Sequence, residues 1–176
     1  PKLSVVASCR MCLVEVKNAH KPVASCVTPV AAGMEVFTKS SKNIDSQKSV
    51  MESLLINHPL DCPICDQGGE CELQDLALGF GKGIYRYNVG KRAVVDEDLG
   101  PLVATDMTRC IHCSRCVRFA DEIAGEPELG LVERGGNTKI STYLGTKLKS
   151  ELSGNMIDLC PVGALTSKPF RFKERS

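Results

Sequence analysis

The sequence of 176 residues is long enough for one or two compact domains, and its hydrophobic content of 43% suits an ordinary folded protein. The formal net charge is +1, and its lysines and arginines are scattered among acidic residues, so no basic stripe indicates nucleic-acid binding. No apolar run approaches the roughly 20 residues of a spanning helix, and no segment resembles a signal peptide. We therefore expect neither a nucleic-acid partner nor a direct membrane span.

Ten cysteines are many for a chain of this length, and either a disulfide framework or metal centres could explain them. One stretch has the spacing C-x2-C-x2-C, which brings three sulfurs onto one small loop and favours metal centres. The cysteines form a first group (Cys9, Cys12 and Cys26), a second group (Cys62, Cys65 and Cys71) and a third group (Cys110, Cys113, Cys116 and Cys160).

The first group lies in a segment that reads as a small mixed β domain. Alternating apolar residues in MCLVEVK and MEVFTK predict two strands, and NAHKP predicts a turn. Plant-type ferredoxins bind a [2Fe-2S] cluster through one cysteine upstream of a C-x2-C pair and one downstream. Cys9 and Cys12 form such a pair, and Cys26 is the downstream ligand. The chain opens at Pro1 without an initiator methionine, so we expect a fragment whose upstream cysteine lies before Pro1. Ordinary buried thiols are the alternative.

An amphipathic helix is predicted before the second group. The segment NIDSQKSVMESLLINHP carries apolar residues at helical spacing, among them Met51 and Leu54. His58 follows Leu54 by four residues, and Pro59 disfavours helical geometry at His58. We therefore expect the helix to end at His58 and to lead directly into the cysteine loop.

The three cysteines of the second group lack a fourth ligand, and His58 is the nearest good candidate. Asp61 and Asp66 are the alternatives, although iron-sulfur chemistry favours thiolate or imidazole over carboxylate. Gly68 and Gly69 predict a tight turn whose backbone N–H groups face the metal centre.

The third group resembles half of a bacterial ferredoxin. Those proteins use two runs of C-x2-C-x2-C-x3-C-P, and the fourth cysteine of each run serves the other cluster. Here RCIHCSRCVRFA has Ala120 at its fourth position, and SELSGNMIDLCPVGAL keeps only Cys160 followed by Pro161. The positions of the lost second cluster hold Ser150, Ser153 and Met156. This pattern predicts one [4Fe-4S] cluster, whereas a zinc ribbon would leave two cysteines unexplained.

Other residues around the third group also have expected roles. A hairpin in LVERGGNTKIST, turning at Gly135 and Gly136, would bring Cys160 back to the loop of Cys110. His112 is expected to point away from the metal centre. Three arginines alternate with the ligands and either compensate cluster charge or form a solvated face; they are Arg109, Arg115 and Arg118.

Nearly the whole chain resembles the N-terminal part of the large iron-sulfur subunit of respiratory complex I, the NADH:quinone oxidoreductase. The resemblance rests on SCRMCLVEV, NHPLDCPICDQGGECELQD, GKRAV with GPLV, MTRCIHCSRCVRFADEIAG and SELSGNMIDLCPVGALTSKPFRF. It implies one [2Fe-2S] cluster on the first group with its fourth ligand outside the chain, and two [4Fe-4S] clusters. One [4Fe-4S] cluster would use His58 with the second group, and the other would use the third group.

The resemblance also implies an α+β fold. We expect a truncated β-grasp [2Fe-2S] ferredoxin-like domain at 1–40 and a ferredoxin-like [4Fe-4S] domain at 81–176. Between them, at 41–80, we expect a small helical [4Fe-4S] domain whose ligands are one histidine and three cysteines. Family members continue into a large molybdopterin-enzyme-like region, which this chain does not include.

The implied function is an electron relay that passes electrons from an NADH-oxidising flavin partner toward quinone. It would act as an electron-transfer subunit among the other peripheral-arm subunits, on the cytoplasmic face of the bacterial inner membrane or the matrix face of the mitochondrial inner membrane. Such a relay needs no catalytic residues, and the sequence has no convincing triad or phosphate-binding glycine loop. The alternatives are the electron-input segment of an iron-only hydrogenase, formate dehydrogenase or NAD-linked hydrogenase, and a zinc-stabilised structural module.

Overall fold

The structure is a computed structural model that describes residues 3–84 and 86–173. These residues form two compact units. The large unit comprises residues 3–4, 57–75 and 89–173, and the small unit comprises residues 5–56 and 76–88 apart from position 85. No helix in the described part of the chain has the length and apolar content needed to cross a membrane.

The small unit contains a three-stranded antiparallel sheet. Its strands are β1 (Leu13–Val16), β2 (Val23–Ala24) and β3 (Val36–Phe37), with β1 between the other two. Leu13 pairs with Ala24, and Glu15 pairs with Phe37. The two strands predicted in MCLVEVK and MEVFTK are therefore confirmed. The two-residue strand β2 is too short for periodicity to reveal it.

Helix α1 (Ser41–Leu55) contacts β1 in the same unit. Ser40 caps the helix, because its side chain accepts a hydrogen bond from the N–H of Asn43 at 3.2 Å. Met51 is fully buried and anchors the helix. The helix is confirmed, but it ends at Leu55, since the N–H of Ile56 turns back to the carbonyl of Ser53. The prediction that the helix ends at His58 is therefore wrong by three residues.

The large unit consists mainly of short helices and two-stranded sheets. Its regular elements are β4 (Val103–Thr105), α3 (Arg115–Glu122), β5 (Leu129–Val132), β6 (Lys139–Thr142), α4 (Asn155–Leu159) and β7 (Leu165–Ser167); α2 (Glu72–Phe80) begins in this unit. Strands β5 and β6 form the predicted hairpin, with Leu129 opposite Thr142. Gly135 has a positive φ of 62° in the connection, as such a turn requires.

Antiparallel pairing of β4 with β7 sets the position of the third group. Thr105 lies opposite Leu165, and the N–H of Asp106 continues the ladder by donating to the carbonyl of Ala164 at 2.9 Å. Cys110 follows Thr105 by five residues, and Cys160 precedes Leu165 by five residues. The pairing therefore brings the two cysteines together, although 43 residues separate Cys116 from Cys160.

Threonine side chains attach a further segment to this sheet. The Thr105 hydroxyl accepts from the N–H of Glu97 at 3.0 Å and donates to its carbonyl at 2.7 Å. Thr108 makes the same two bonds with the backbone of Val94, at 3.1 and 3.3 Å. Each hydroxyl thus makes the two backbone hydrogen bonds that a neighbouring strand would otherwise make. Together they hold residues 94–97 beside the segment that leads to Cys110.

The ligand positions of the lost second cluster have become part of the hydrophobic core. Ala120 and Met156 are each 1% exposed and pack in the same core cluster as Cys116 and Leu165. Ser153 is also buried, and Ser150 caps the turn that follows it by accepting from the N–H of Leu152. Ala120, Ser153 and Met156 are therefore buried where a two-cluster ferredoxin would have ligands.

The mixed helix and strand content agrees with the predicted α+β class. The division at 1–40, 41–80 and 81–176 follows the cysteine groups and stays a prediction. Packing groups the chain differently, because α1 from the predicted second domain lies in the same unit as β1 to β3.

We expect the substitution Met51→Ala to destabilise the small unit by about 2 to 5 kcal/mol, because it leaves a cavity beneath α1. Urea unfolding followed by circular dichroism measures the change. Ser49→Ala is the matched control in the same helix, since Ser49 is exposed. That control should change the free energy of unfolding by less than about 0.5 kcal/mol. Equal effects of the two substitutions would contradict the packing of α1.

Candidate metal centres

All four cysteines of the third group line one small cavity in the large unit. Met107, Ile140 and Val162 line much of the remainder, so the cavity is mainly apolar. Cys160 therefore lies with the C-x2-C-x2-C loop, where the sequence places it. Four sulfurs around one enclosed space are the donor set that a [4Fe-4S] cluster requires.

The backbone of the C-x2-C-x2-C loop is shaped around this cavity. His112 and Ser114, on either side of Cys113, have left-handed conformations with φ of 55° and 56°. Non-glycine residues seldom adopt this conformation, and where they do it is commonly at a functional site. Such alternation turns backbone N–H groups toward anionic centres. The N–H of His112 donates to the Cys110 sulfur at 3.4 Å, which suits a thiolate ligand.

Burial disfavours the ionised form of these thiols. It raises the pKa of Cys116 to about 12 and that of Cys110 to about 11, and neighbouring thiols add a further rise. Burial also raises the pKa of Cys160. Thiolate is the form that binds metal, so a cationic centre would have to supply the stabilisation that water cannot.

The second group sits on a loop that opens with a tight turn at Cys62–Ile64. Cys65 and Cys71 are buried, and Cys62 is exposed. Burial raises the pKa of Cys71, and the nearby Cys65 and Cys62 raise it further. The Cys71 sulfur also lies 3.6 Å from the carbonyl oxygen of Pro161, next to Cys160. The loops of the second and third groups therefore touch.

His58 has the properties of an available ligand. Its Nδ1 atom is buried and has no hydrogen-bond partner among the described residues. Burial lowers the pKa of His58, and the Lys91 charge lowers it further, so the ring is neutral at pH 7. A hydrogen bond with the Arg109 backbone opposes this shift and orients the ring. A neutral imidazole with one unoccupied nitrogen is the form that binds a metal.

The two rival ligands for the second group are engaged elsewhere. One oxygen of Asp61 accepts two hydrogen bonds from the Arg109 guanidinium, at 3.1 and 3.2 Å. Both carboxylate oxygens of Asp66 accept from the N–H of Phe172, at 3.1 and 3.3 Å. These contacts favour His58 as the fourth ligand.

The expected role of Gly68 and Gly69 is wrong in one respect. Gly69 has a positive φ of 94°, as a tight turn requires. The N–H of Gly68, however, donates to the carbonyl of Cys65 at 2.9 Å, and that of Gly69 donates to the Gln74 side chain at 3.0 Å. These two N–H groups stabilise the loop itself.

The first group comes together in the small unit. The N–H of Ser25 donates to the carbonyl of Cys12 at 3.0 Å, which brings Cys26 beside Cys12. A hydrogen bond with Cys12 raises the pKa of the Cys26 thiol, and the Cys9 charge raises it further. For Cys12, burial acts to raise the pKa, but hydrogen bonds from the Cys26 backbone and side chain outweigh it and lower the pKa. Cys26 therefore interacts with both Cys12 and Cys9.

Among residues 3–84 and 86–173, no three His, Cys, Asp or Glu side chains are placed to hold one metal ion.

The three arginines near the third group have different environments. Arg109 is buried, whereas Arg115 pairs with Glu72 at 3.0 Å in a partly exposed site. Arg118 donates to the carbonyl of Cys113 at 3.3 Å and so supports the ligand loop. Only for Arg109 is the alternative of a solvated face clearly wrong.

Two residues with evident roles had no individual signal in the sequence. Arg92 donates to the carbonyl of Cys110 at 2.8 Å and contacts the His112 ring at 3.0 Å, which holds His112 away from the cavity. A Cβ atom built on Gly163 would lie 2.2 Å from the Cys65 sulfur, so only glycine allows this close approach. Both residues fall within GKRAV and CPVGAL, but their partners come from distant parts of the chain.

Three family matches follow the three cysteine groups. Residues 1–41 match a 2Fe-2S iron-sulfur cluster binding domain, and residues 47–83 match the NADH-ubiquinone oxidoreductase-G iron-sulfur binding region. Residues 100–166 match the ferredoxin-like domain of NADH-quinone oxidoreductase subunit 3. The chain therefore contains domains of the kinds that bind [2Fe-2S] and [4Fe-4S] clusters.

Curated relatives match nearly the whole chain. The NADH-ubiquinone oxidoreductase 75 kDa subunit of Reclinomonas americana is 59% identical over 99% of this chain and 25% of its own length. The mitochondrial NADH-ubiquinone oxidoreductase 78 kDa subunit of Neurospora crassa is 59% identical over 99% of this chain and 24% of its own length. The chain belongs to the family of the large iron-sulfur subunit of NADH:quinone oxidoreductase. It spans about a quarter of the length of these relatives.

A solved structure shares the fold of this iron-sulfur subunit segment. It is a chain from a crystal structure of an NAD+-reducing [NiFe]-hydrogenase in the H2-reduced state, with a TM-score of 0.84 and 29% identity. The match covers 98% of this chain and 74% of that chain. The fold of this segment of the large iron-sulfur subunit therefore also occurs in a hydrogenase.

We expect Gly163→Ala to displace the loop of Cys65, because the added methyl group would overlap the Cys65 sulfur. Overpacking of this kind costs about 1 to 3 kcal/mol. The variant should retain less iron and show a weaker electron paramagnetic resonance (EPR) signal from the cluster on the second group. Gly130→Ala is the matched control, since nothing lies within 4 Å of its Cβ position. Full iron retention in Gly163→Ala would contradict the proposed placement of Cys65.

Proposed function

We propose that this chain is an iron-sulfur electron relay of NADH:quinone oxidoreductase, which passes electrons from the NADH-oxidising flavin partner toward quinone. The observation that carries the proposal is the cavity lined by Cys110, Cys113, Cys116 and Cys160. The described residues that line this cavity include no histidine or carboxylate that could act as a general acid or base. A set of sulfur donors around one cavity is suited to electron transfer, which needs no such groups.

The ligand sets follow the three cysteine groups. The third group would hold one [4Fe-4S] cluster, and the second group with His58 would hold another. The first group would hold a [2Fe-2S] cluster whose fourth ligand lies outside this chain. When bound, each cluster accepts and releases single electrons. On this assignment the chain has three domains: a truncated β-grasp domain at 1–40, a helical domain with histidine and cysteine ligands at 41–80 and a ferredoxin-like domain at 81–176.

The protein sets the properties of each cluster through its own residues. Apolar residues around the third group exclude water, and the N–H of His112 stabilises negative charge on sulfur. His58 brings a neutral ligand where the other site has a thiolate, so its site carries one negative charge fewer. The partners would be the other peripheral-arm subunits of the complex, at the cytoplasmic or matrix face of the inner membrane.

A second candidate is the electron-input segment of an NAD-linked hydrogenase. The likeness to the [NiFe]-hydrogenase chain favours it, because the fold match covers 98% of the present chain. Sequence identity supports the first candidate, since it is 29% with the hydrogenase chain and 59% with the 75 kDa subunit of Reclinomonas americana.

Iron analysis of the full-length protein, purified without oxygen, tests the proposal. We expect iron and acid-labile sulfide, visible absorption that bleaches on reduction, and EPR signals from more than one cluster. Reduction by NADH should require the flavin partner. Zinc in place of iron, with no visible absorption, would instead support a structural module and overturn the proposal.

We expect His58→Cys to keep a [4Fe-4S] cluster but to lower its reduction potential. The added thiolate contributes a negative charge that disfavours the reduced state, the reverse of the rise that His ligands produce in Rieske centres. His58→Ala should make the same cluster labile. Redox titration followed by EPR measures both effects. His20→Ala is the control, since His20 is exposed in the turn that follows β1. An unchanged potential in His58→Cys would mean that His58 is not a ligand.

A further inference from the structure

Arg109 is a buried charge that joins the loops of the two proposed [4Fe-4S] sites. It is 5% exposed and directly precedes Cys110. Its guanidinium donates to Asp61, which directly precedes Cys62, through Nε at 3.2 Å and Nη2 at 3.1 Å. The same Nη2 lies 3.0 Å from a carboxylate oxygen of Asp106. The Arg109 side chain therefore binds the residue that precedes the first cysteine of the second group. The Arg109 backbone leads directly into the first cysteine of the third group.

Two further contacts of Arg109 involve the same loops. Its backbone forms the hydrogen bond that orients the His58 ring. Its Cδ atom lies 3.7 Å from the position that a Cβ of Gly163 would occupy, so the aliphatic stem borders the loop after Cys160. Arg109 thus contacts the segments of both ligand sets from one buried position.

The burial of this guanidinium decides its electrostatic effect. Water and salt screen exposed charges strongly, but they screen buried charges much less. Reduction adds one negative charge to a cluster, so a positive charge held nearby favours the reduced state. Asp61 and Asp106 act in the opposite direction, and their charges are fixed in place by their ion pairs with Arg109.

We propose that Arg109 is a positioning residue that couples the two [4Fe-4S] sites and raises the reduction potential of both clusters. The proposal rests on the proposed function, because it assumes that both ligand sets hold clusters. It goes beyond ligand assignment by naming an element of the protein that sets two potentials at once. A merely structural ion pair would affect cluster retention without giving potential shifts that follow the sign of the charge removed.

Charge-changing variants of the full-length, cluster-loaded protein test this inference by redox titration at pH 8. We expect Arg109→Gln to lower both potentials, with about a tenfold loss in the equilibrium constant for reduction, or about 59 mV for one electron. We expect Asp61→Asn to raise the potential of the His58 cluster. In the double variant the potential of the His58 cluster should return toward its wild-type value, because the two charge changes cancel there.

Arg109→Lys keeps the charge without the planar fork and should keep potentials close to wild type. Loss of one partner of a buried ion pair is strongly destabilising, so Arg109→Gln could fail to fold. In that case Arg109→Lys and Asp61→Asn still test whether the potentials follow the charge. Arg86→Gln is the matched control, because Arg86 makes a similar two-point ion pair with Glu52 but is 59% exposed. It should leave both potentials unchanged.

The outcomes separate this inference from the proposed function. A wild-type protein without iron-sulfur clusters would overturn the proposed function. Clusters whose potentials stay constant in Arg109→Gln and Asp61→Asn, or shift in the same direction in both, would overturn the role of Arg109 alone.

Discussion

The antiparallel pairing of β4 with β7 is the constraint on which the third site depends. Thr105 lies opposite Leu165, and Cys110 and Cys160 stand five residues beyond this pair on the two chains. A change of register would move one cysteine away from the other. The remainder of the large unit supports the pairing: the β5–β6 hairpin returns the chain, and the Thr105 hydroxyl adds a further segment beside β4. The register of β4 and β7 therefore places these two cysteines of the third group together.

Local patterns predicted the parts of the fold that local chemistry determines. The C-x2-C-x2-C loop, the hairpin at Gly135 and the strands of the small unit all follow from spacing or alternation over a few residues. The end of α1 at Leu55 could not be predicted from such a pattern, because Pro59 restricts only the residue before it. The roles of Arg109 and Gly163 could not be predicted either. Their partners, Asp61 and Cys65, lie about 50 and 100 residues away, so only the tertiary structure brings them together.

The two proposed [4Fe-4S] sites differ in charge although their loops touch. The third group supplies four thiols, whereas the second group supplies three thiols and the neutral ring of His58. A cluster on four thiolates is the more negative of the two, and its potential is lower when other conditions are equal. Electrons would then pass more readily from the third site to the second than in reverse. The contact between the Cys71 sulfur and the carbonyl of Pro161, at 3.6 Å, would give this transfer a short path.

Two positions that would be ligands in a two-cluster ferredoxin are apolar in this chain. Ala120 and Met156 occupy two of the positions that would hold the second cluster, and each is 1% exposed in the core. Burying such side chains stabilises the fold by roughly 25 cal/mol for each Å² of apolar surface removed from water, without a cofactor. A cluster on the third group would have the loop of the second group as a neighbour, because the Cys71 sulfur contacts the carbonyl of Pro161. The buried Arg109 joins the same two loops through its ion pair with Asp61.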